Sequence, residues 1–155
     1  MKISLDELKY FIARAHQNTY ANKSALKVSP ARLASEDYQY EEGDLIYHDT
    51  YFGSHDFIGN EIVYEENKPV WGMSYHGYLT KPDISESKVY DFLKQSLMQK
   101  CTDIIPARGP SRYSMALWKY SNSLDGTLDR FSGIEIISLG GGEVYRGWYN
   151  GGFVG

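Results

Sequence analysis

The sequence predicts an α+β protein. Two amphipathic helices lie on one face of a mostly antiparallel sheet, in a tandem αβββ duplication with pseudo-two-fold symmetry. Three observations predict this. The first is an internal match at a fixed offset: Phe57-Ile58-Gly59-Asn60-Glu61-Ile62-Val63 recurs as Phe131-Ser132-Gly133-Ile134-Glu135-Ile136-Ile137, and 7 of the 23 positions in 57–79 are identical to their partners 74 residues on. Val70, Tyr75 and Gly77 fall on Val144, Tyr149 and Gly151 in the same ungapped alignment. A supersecondary unit is written twice. The second observation is a helical stripe ahead of each copy. The third is a set of β-rich runs joined by short turns, which requires antiparallel pairing.

The elements follow in order. Ser4 and Glu7 form a capping-box signature, and Leu5, Leu8, Phe11, Ile12 and Ala15 recur at helical spacing, so a helix is predicted over 5–17. Residues 18–37 read as a long connection with one helical turn near Pro30. Strands are predicted over 44–52, 57–65 and 69–78, with Glu66-Asn67-Lys68 as a tight turn. Ser85 caps a second helix over 86–101, whose stripe is Val89, Phe92, Leu93, Leu97 and Cys101. Pro106 and Pro110 frame an Arg108-Gly109 turn. Strands over 113–124, 133–139 and 143–150 close the chain, with Gly140-Gly141-Gly142 as the last hairpin. The expected whole is one domain, 1–155, of about six strands, with repeats at 4–80 and 84–155.

Composition excludes several classes. Of 155 residues, 42% are hydrophobic and 23% charged, the balance of a globular chain. A net charge of −4 speaks against a non-specific grip on nucleic acid. A single cysteine allows no internal disulfide, which points to a cytoplasmic protein. No apolar signal core or membrane-spanning run is present, so no membrane association is expected. Aromatic residues reach 15%, with 14 Tyr, and tyrosine suits both half-buried sheets and binding surfaces.

Alternation assigns side chains to faces. Glu135 shares a face with Phe131, Gly133, Ile137 and Leu139, and Glu61 with Phe57, Gly59 and Val63. Each repeat therefore sets one carboxylate in apolar surroundings, where it must find a partner or a proton. Such groups are functional-site candidates. The competing reading is structural: the Arg108-Gly109 turn supplies hydrogen bonds and each Glu locks its repeat. The duplication favours that reading, because an active site breaks symmetry. Trp71, Met73 and Tyr75 share one face, with Tyr145 and Tyr149 at the matching positions. Ser74, His76, Arg146, Trp148 and Asn150 take the other. Two helices cover only one face, so the remaining aromatics line a cleft, meet a partner or bury a dimer interface. The candidate ligand-binding residues are Glu61, Glu135, Trp71, Tyr75, Tyr145, Tyr149 and Arg108, a set suited to a flat or cationic small molecule.

Other motifs carry little. His48-Asp49 and His55-Asp56 lack a recognisable metal-ligand spacing, so no metal is expected. Cys101 lies on an apolar stripe and reads as core. There is no nucleophile elbow and no phosphate loop, and no cofactor is expected.

The segments Tyr47-His48-Asp49-Thr50-Tyr51-Phe52-Gly53, Phe57-Ile58-Gly59-Asn60-Glu61, Pro69-Val70-Trp71-Gly72-Met73-Ser74-Tyr75-His76-Gly77, Arg108-Gly109-Pro110 and Phe131-Ser132-Gly133-Ile134-Glu135 together resemble an uncharacterised bacterial domain family. Asn18-Thr19-Tyr20-Ala21 fits it too. The resemblance implies a domain found alone or behind a helix-turn-helix in predicted transcription regulators, with no established activity. At fold level the chain also resembles the gyrase-inhibitor-like effector-binding domains, although their repeat begins with a strand. The functional expectation is a small-molecule-binding or sensory module rather than an enzyme. One alternative is a hydrolase or isomerase using Glu61 or Glu135 as general base with His48 or His76. The other is a homodimeric interaction protein.

Overall fold

The structure is a computed structural model that describes residues 2–99 and 107–155. Helix α1 spans Leu5–Asn18 and helix α2 spans Glu86–Leu97. Eight strands form one antiparallel sheet: β1 Glu36–Glu42, β2 Leu45–Gly53, β3 Asp56–Glu65, β4 Lys68–Leu79, β5 Arg112–Met115, β6 Trp118–Thr127, β7 Arg130–Leu139 and β8 Gly142–Phe153. Their spatial order is β1-β2-β3-β4-β8-β7-β6-β5. The chain thus runs α-ββββ twice, and β4 meets β8 at the middle of the sheet.

Position along the ladders follows the 74-residue match. Tyr75 pairs directly with Tyr149 across β4 and β8. The β3–β4 ladder shifts register between Val63 and Tyr64, and the β7–β8 ladder between Ile137 and Ser138. Both hairpins turn through left-handed pairs, Glu66 and Asn67 at φ 50° and 64°, Gly140 and Gly141 at 58° and 85°. Such pairs match the natural twist of the flanking strands.

Both helices pack on the face that carries Trp71, Met73, Tyr75, Tyr145 and Tyr149. Leu8, Phe11, Ile12 and Ala15 of α1 join Tyr47, Val63, Trp71 and Met73 in one core cluster. Val89, Phe92, Leu93 and Leu97 of α2 join Tyr120, Ile137, Val144 and Tyr145 in a second. The opposite sheet face stays open, with Ile58 57% and Trp148 45% exposed.

The capping box at α1 is formed in full. Glu7 N–H donates to Ser4 Oγ at 3.3 Å, and Ser4 N–H donates to Glu7 Oε2 at 3.0 Å. Replacing Ser4 by alanine leaves Glu7 N–H without this acceptor. The expected loss is about 1 kcal/mol, read as a small drop in the urea midpoint with an unchanged slope.

Two strands go beyond the sequence reading, and both are edges. Strand β1 is the polar run Glu-Asp-Tyr-Gln-Tyr-Glu-Glu, which carries no apolar alternation. Residues 113–124, read as one strand, are two, because Ala116 turns the chain at φ 53° between β5 and β6. Short, charged edges resist pairing with other chains, and that same polarity hides them from hydropathy patterns. Helix α2 is shorter than the stripe suggested, and Cys101 lies outside the described residues. The turn near Pro30 is not helical; it closes as Ser35 N–H to Arg32 O at 3.1 Å.

Asp37 pins that long connection to the sheet. Its carboxylate accepts Ser35 Oγ–H at 2.5 Å, Thr50 Oγ1–H at 2.6 Å and Ala31 N–H at 3.2 Å, and lies 2.6 Å from His48 Nε2. Burial alone would raise its pKa, but these hydrogen bonds outweigh it and hold it at about 2.

Candidate ligand cleft

The sheet builds two acidic positions by one device. Across β1 to β4, Tyr38, Asp49, Glu61 and Met73 stand in a single ladder row. In the second half, Asn122, Glu135 and Gly147 stand in another. In each half a tyrosine lies over a glycine to reach the row. Tyr75 is paired with Gly59, and a Cβ on Gly59 would sit 2.5 Å from the Tyr75 hydroxyl oxygen. Tyr149 is paired with Gly133, where a Cβ would sit 2.2 Å from the Tyr149 hydroxyl oxygen. These absent side chains let Tyr75 O–H donate to Asp49 Oδ1 at 2.6 Å and Tyr149 O–H donate to Asn122 Oδ1 at 2.5 Å. This is the physical content of the repeated Gly-x-Glu.

The two halves then part. Glu135 is saturated. Oε1 accepts Arg108 Nη2–H at 2.5 Å, Arg108 Nε–H at 3.1 Å and Tyr145 O–H at 2.8 Å, and Oε2 accepts Tyr120 O–H at 2.8 Å. Asn122 Nδ2–H donates to Gly109 O at 2.9 Å, and Gly109 N–H donates to Tyr120 Oη at 3.1 Å. Burial works against the charge of Arg108, but Glu135 outweighs it and the guanidinium pKa stands above its ordinary value.

Around Glu61 the same geometry is left open. Oε2 lies 2.7 Å from His16 Nε2, delivered by the last turn of α1. Its cross-strand neighbour is not an amide but the second carboxylate, Asp49. Glu61 Oε1, Asp49 Oδ2 and the Tyr20 and Tyr47 hydroxyls are buried and find no hydrogen-bond partner among the described residues. Burial drives the Asp49 carboxyl well above the ordinary aspartate range, and Glu61 opposite adds to the rise; the Tyr75 hydrogen bond and Arg108 oppose it. An orphaned buried carboxyl oxygen is costly, so its presence calls for an explanation.

A cleft of about 310 Å³ reaches Asp49 from outside, between the sheet and α2. Its inner end is Asp49, Tyr20, Tyr75 and Arg108, and its walls include Tyr38, Tyr51, Phe57 and Tyr90. Tyr38 and Tyr51 stack at 6.3 Å, and Phe57 meets Tyr90 edge-on at 5.6 Å. The Arg108 guanidinium lies 5.4 Å from the ring centres of both Tyr20 and Tyr75. A wider concavity of about 700 Å³ covers the open sheet face. Its open side chains, such as Ser74, His76 and Trp148, are already solvated. Two of the four buried atoms that lack a partner among the described residues, Asp49 Oδ2 and the Tyr20 hydroxyl, belong to residues that line the narrow cleft instead.

Of the sequence-derived candidates, Tyr75 and Arg108 line this cleft. Glu61 stands beside Asp49 in the ladder, one strand further in. Glu135 and Tyr145 form the closed network. Tyr149 holds Asn122, and Trp71 is core, fully buried, stacked on Phe131 at 5.8 Å and donating to Leu128 O at 3.1 Å. Asp49, His16, Tyr20, Tyr38, Tyr51 and Tyr90 were not singled out as ligand groups. Asp49 had a readable signal, since it alternates with Tyr47 and Tyr51 on one face of the strand. His16 had one too, lying one residue past the apolar stripe of α1. Among the described residues no three His, Cys, Asp or Glu side chains come together as a metal-binding group. No described helix is long and apolar enough to cross a membrane.

Fold and cleft together define an α+β protein with a tyrosine-lined pocket, Asp49 in its lining, between its sheet and its second helix. The chain belongs to the family described as a domain of unknown function (DUF5680), which matches residues 49–154. The match takes in Asp49, Glu61 and the whole of β3 to β8; α1 with His16 precedes it. No curated protein and no solved structure matches the chain.

Proposed function

We propose that this is a small-molecule-binding module whose ligand enters the cleft beneath α2 and presents a hydrogen-bond donor or cation to Asp49. The observation that carries this is the contrast between the halves. The arrangement around Glu135 is complete in itself, whereas the one around Glu61 and Asp49 leaves a buried carboxyl oxygen facing a cleft. Aromatic walls suit a flat ligand through stacking, and a cationic one through the ring faces. The volume lies at the lower end of small-molecule pockets, which favours a one-ring ligand. The duplicated unit gives a rationale: one copy fixes the fold, and the copy that departs from it holds the site. A sensory role in regulation accords with the domain's resemblance to regulator-associated domains.

A thermal-shift screen with flat cations, benzamidine among them, tests this. Wild type is expected to gain stability, Asp49→Asn to gain none, and His76→Ala on the open face to behave as wild type. Stabilisation that survives Asp49→Asn and vanishes in His76→Ala rejects the cleft.

One observation favours a catalytic second reading. A carboxylate and an imidazole lie within hydrogen-bond reach at Glu61 and His16. The imidazole is His16, not the His48 or His76 expected from sequence. Neither Glu61 nor His16 is among the cleft-lining residues, so they would act on a ligand only through Asp49.

A further inference from the structure

The polar groups of the cleft are not spread evenly. Among the described residues three cationic side chains line it: Lys27, Lys94 and Arg108. Arg108 is paired with Glu135 at 2.5 Å, and Lys27 is paired with Glu36. Lys94 is different. Among the described residues its ammonium has no ion pair or hydrogen bond, and the nearby Asp91 carboxylate is taken by Lys23 at 2.7 Å. Lys94 stands on the face of α2 that also presents Glu86, Tyr90, Leu93 and Leu97 to the cleft, the spacing of one helical face. It is half-buried there. The other carboxylate on that face, Glu86, lies 3.5 Å from His55 Nδ1. The same cleft is lined by Asp49 and Tyr20, whose Oδ2 and hydroxyl have no hydrogen-bond partner among the described residues. The rings of Tyr38, Tyr51, Phe57 and Tyr90 line it as well.

We infer that the cleft takes a flat dipolar molecule, with a protonated nitrogen against Asp49 and a carboxylate or comparable anion against Lys94. This rests on the ligand-binding reading above and adds the outer end of the ligand to it. A cation alone satisfies Asp49 and leaves the half-buried Lys94 without an ion pair among the described residues. An anion alone satisfies Lys94 and leaves the acid at the inner end without a donor. A molecule carrying both removes both deficits, and its aromatic middle spans the tyrosine walls. Charge-assisted hydrogen bonds are the stronger ones, and they fix the direction in which such a ligand enters.

Three probes on one ring separate the ends: benzamidine, benzoate and 4-amidinobenzoate, measured by titration calorimetry on the full chain. 4-Amidinobenzoate is expected to bind about tenfold more tightly than benzamidine, the scale of one charge-assisted contact. Lys94→Met keeps the stem of the side chain. It is expected to erase that advantage while leaving benzamidine within about twofold of wild type. If benzamidine binds and the added carboxylate gives nothing, or if the preference survives Lys94→Met, the dipolar assignment is overturned and the cation-binding reading stands. If benzoate binds as well as 4-amidinobenzoate, the donor end at Asp49 is overturned. If neither amidine binds, both readings fall together.

Discussion

Replacing Glu135 by glutamine is expected to cost about 3–5 kcal/mol of stability, the penalty for breaking a buried ion pair from one side. Glu135 is 1% exposed and Arg108 4%, so neither partner can turn to water when the other is removed. Glutamine keeps one carbonyl oxygen for donors that now come from Arg108, Tyr120 and Tyr145. Its amide N–H groups then point at donors instead of acceptors. For a chain of this size the loss corresponds to roughly 8–15 °C in Tm. Chemical denaturation followed by tryptophan fluorescence reads the loss as a shift in midpoint. A second variant separates charge from packing. Adding Arg108→Met to Glu135→Gln is expected to recover part of the loss, because no buried charge is left behind. A single Glu135→Gln that costs less than 1 kcal/mol, or a double variant weaker than the single, would show that this ion pair does not hold the sheet's second half together.

The opposite sign is expected at Asp49. Asp49→Asn should stabilise the protein by about 1–3 kcal/mol at neutral pH, the scale of a relieved buried polar group. The second half of the sheet shows what an amide does there, since Asn122 accepts from Tyr149 and donates to Gly109 O. At Asp49 the Tyr75 hydrogen bond would persist, and the amide carries no charge for burial and the neighbouring Glu61 to oppose. The pH dependence follows from the raised pKa of Asp49. The folded chain keeps a proton that the unfolded chain has lost above about 3.8. Stability from this group is therefore full below that pH and declines as pH rises, until the folded carboxyl ionises too. Asp37 runs the other way. Its folded pKa is about 2 against 3.8, so its contribution is present above 3.8 and lost as pH falls toward 2. Wild type is expected to lose stability on both sides of a maximum at about pH 4, and Asp49→Asn to lose it only on the acid side. Thermal melts across pH 2–8 read this directly. A variant no more stable than wild type at pH 7, with the alkaline slope intact, would show that Asp49 is not the strained group. Stability gained with binding lost is the usual trade at a ligand site.

Much of this was legible in the residues. The offset match located both Gly-x-Glu segments, the Ser4–Glu7 pattern marked the start of α1, and the turns at Glu66-Asn67 and Gly140-Gly141 fall where turn chemistry puts them. Alternation placed Trp71, Tyr75, Tyr145 and Tyr149 on one sheet face, and the structure shows that the helices cover that face. Strands β1 and β5 were hidden because edge strands owe their pairing to one neighbour and their solubility to charge. The site was only half legible. Tyr75 and Arg108 were reached through their residue types, whereas Asp49 and His16 belong to it through register and helix docking. Neither is visible in a linear pattern.

The sequence by itself determined the fold class and the apolar surroundings of Glu61 and Glu135, because periodicity and local turn chemistry act within a few residues. Only the tertiary structure decided that the two glutamates have different fates. That difference rests on what lies across the strand from each, Asp49 for one and Asn122 for the other, and on which side chain arrives from elsewhere, His16 or Arg108. Contacts between residues 27 and 45 positions apart are set by how the sheet and helices pack, and no spacing along the chain encodes them.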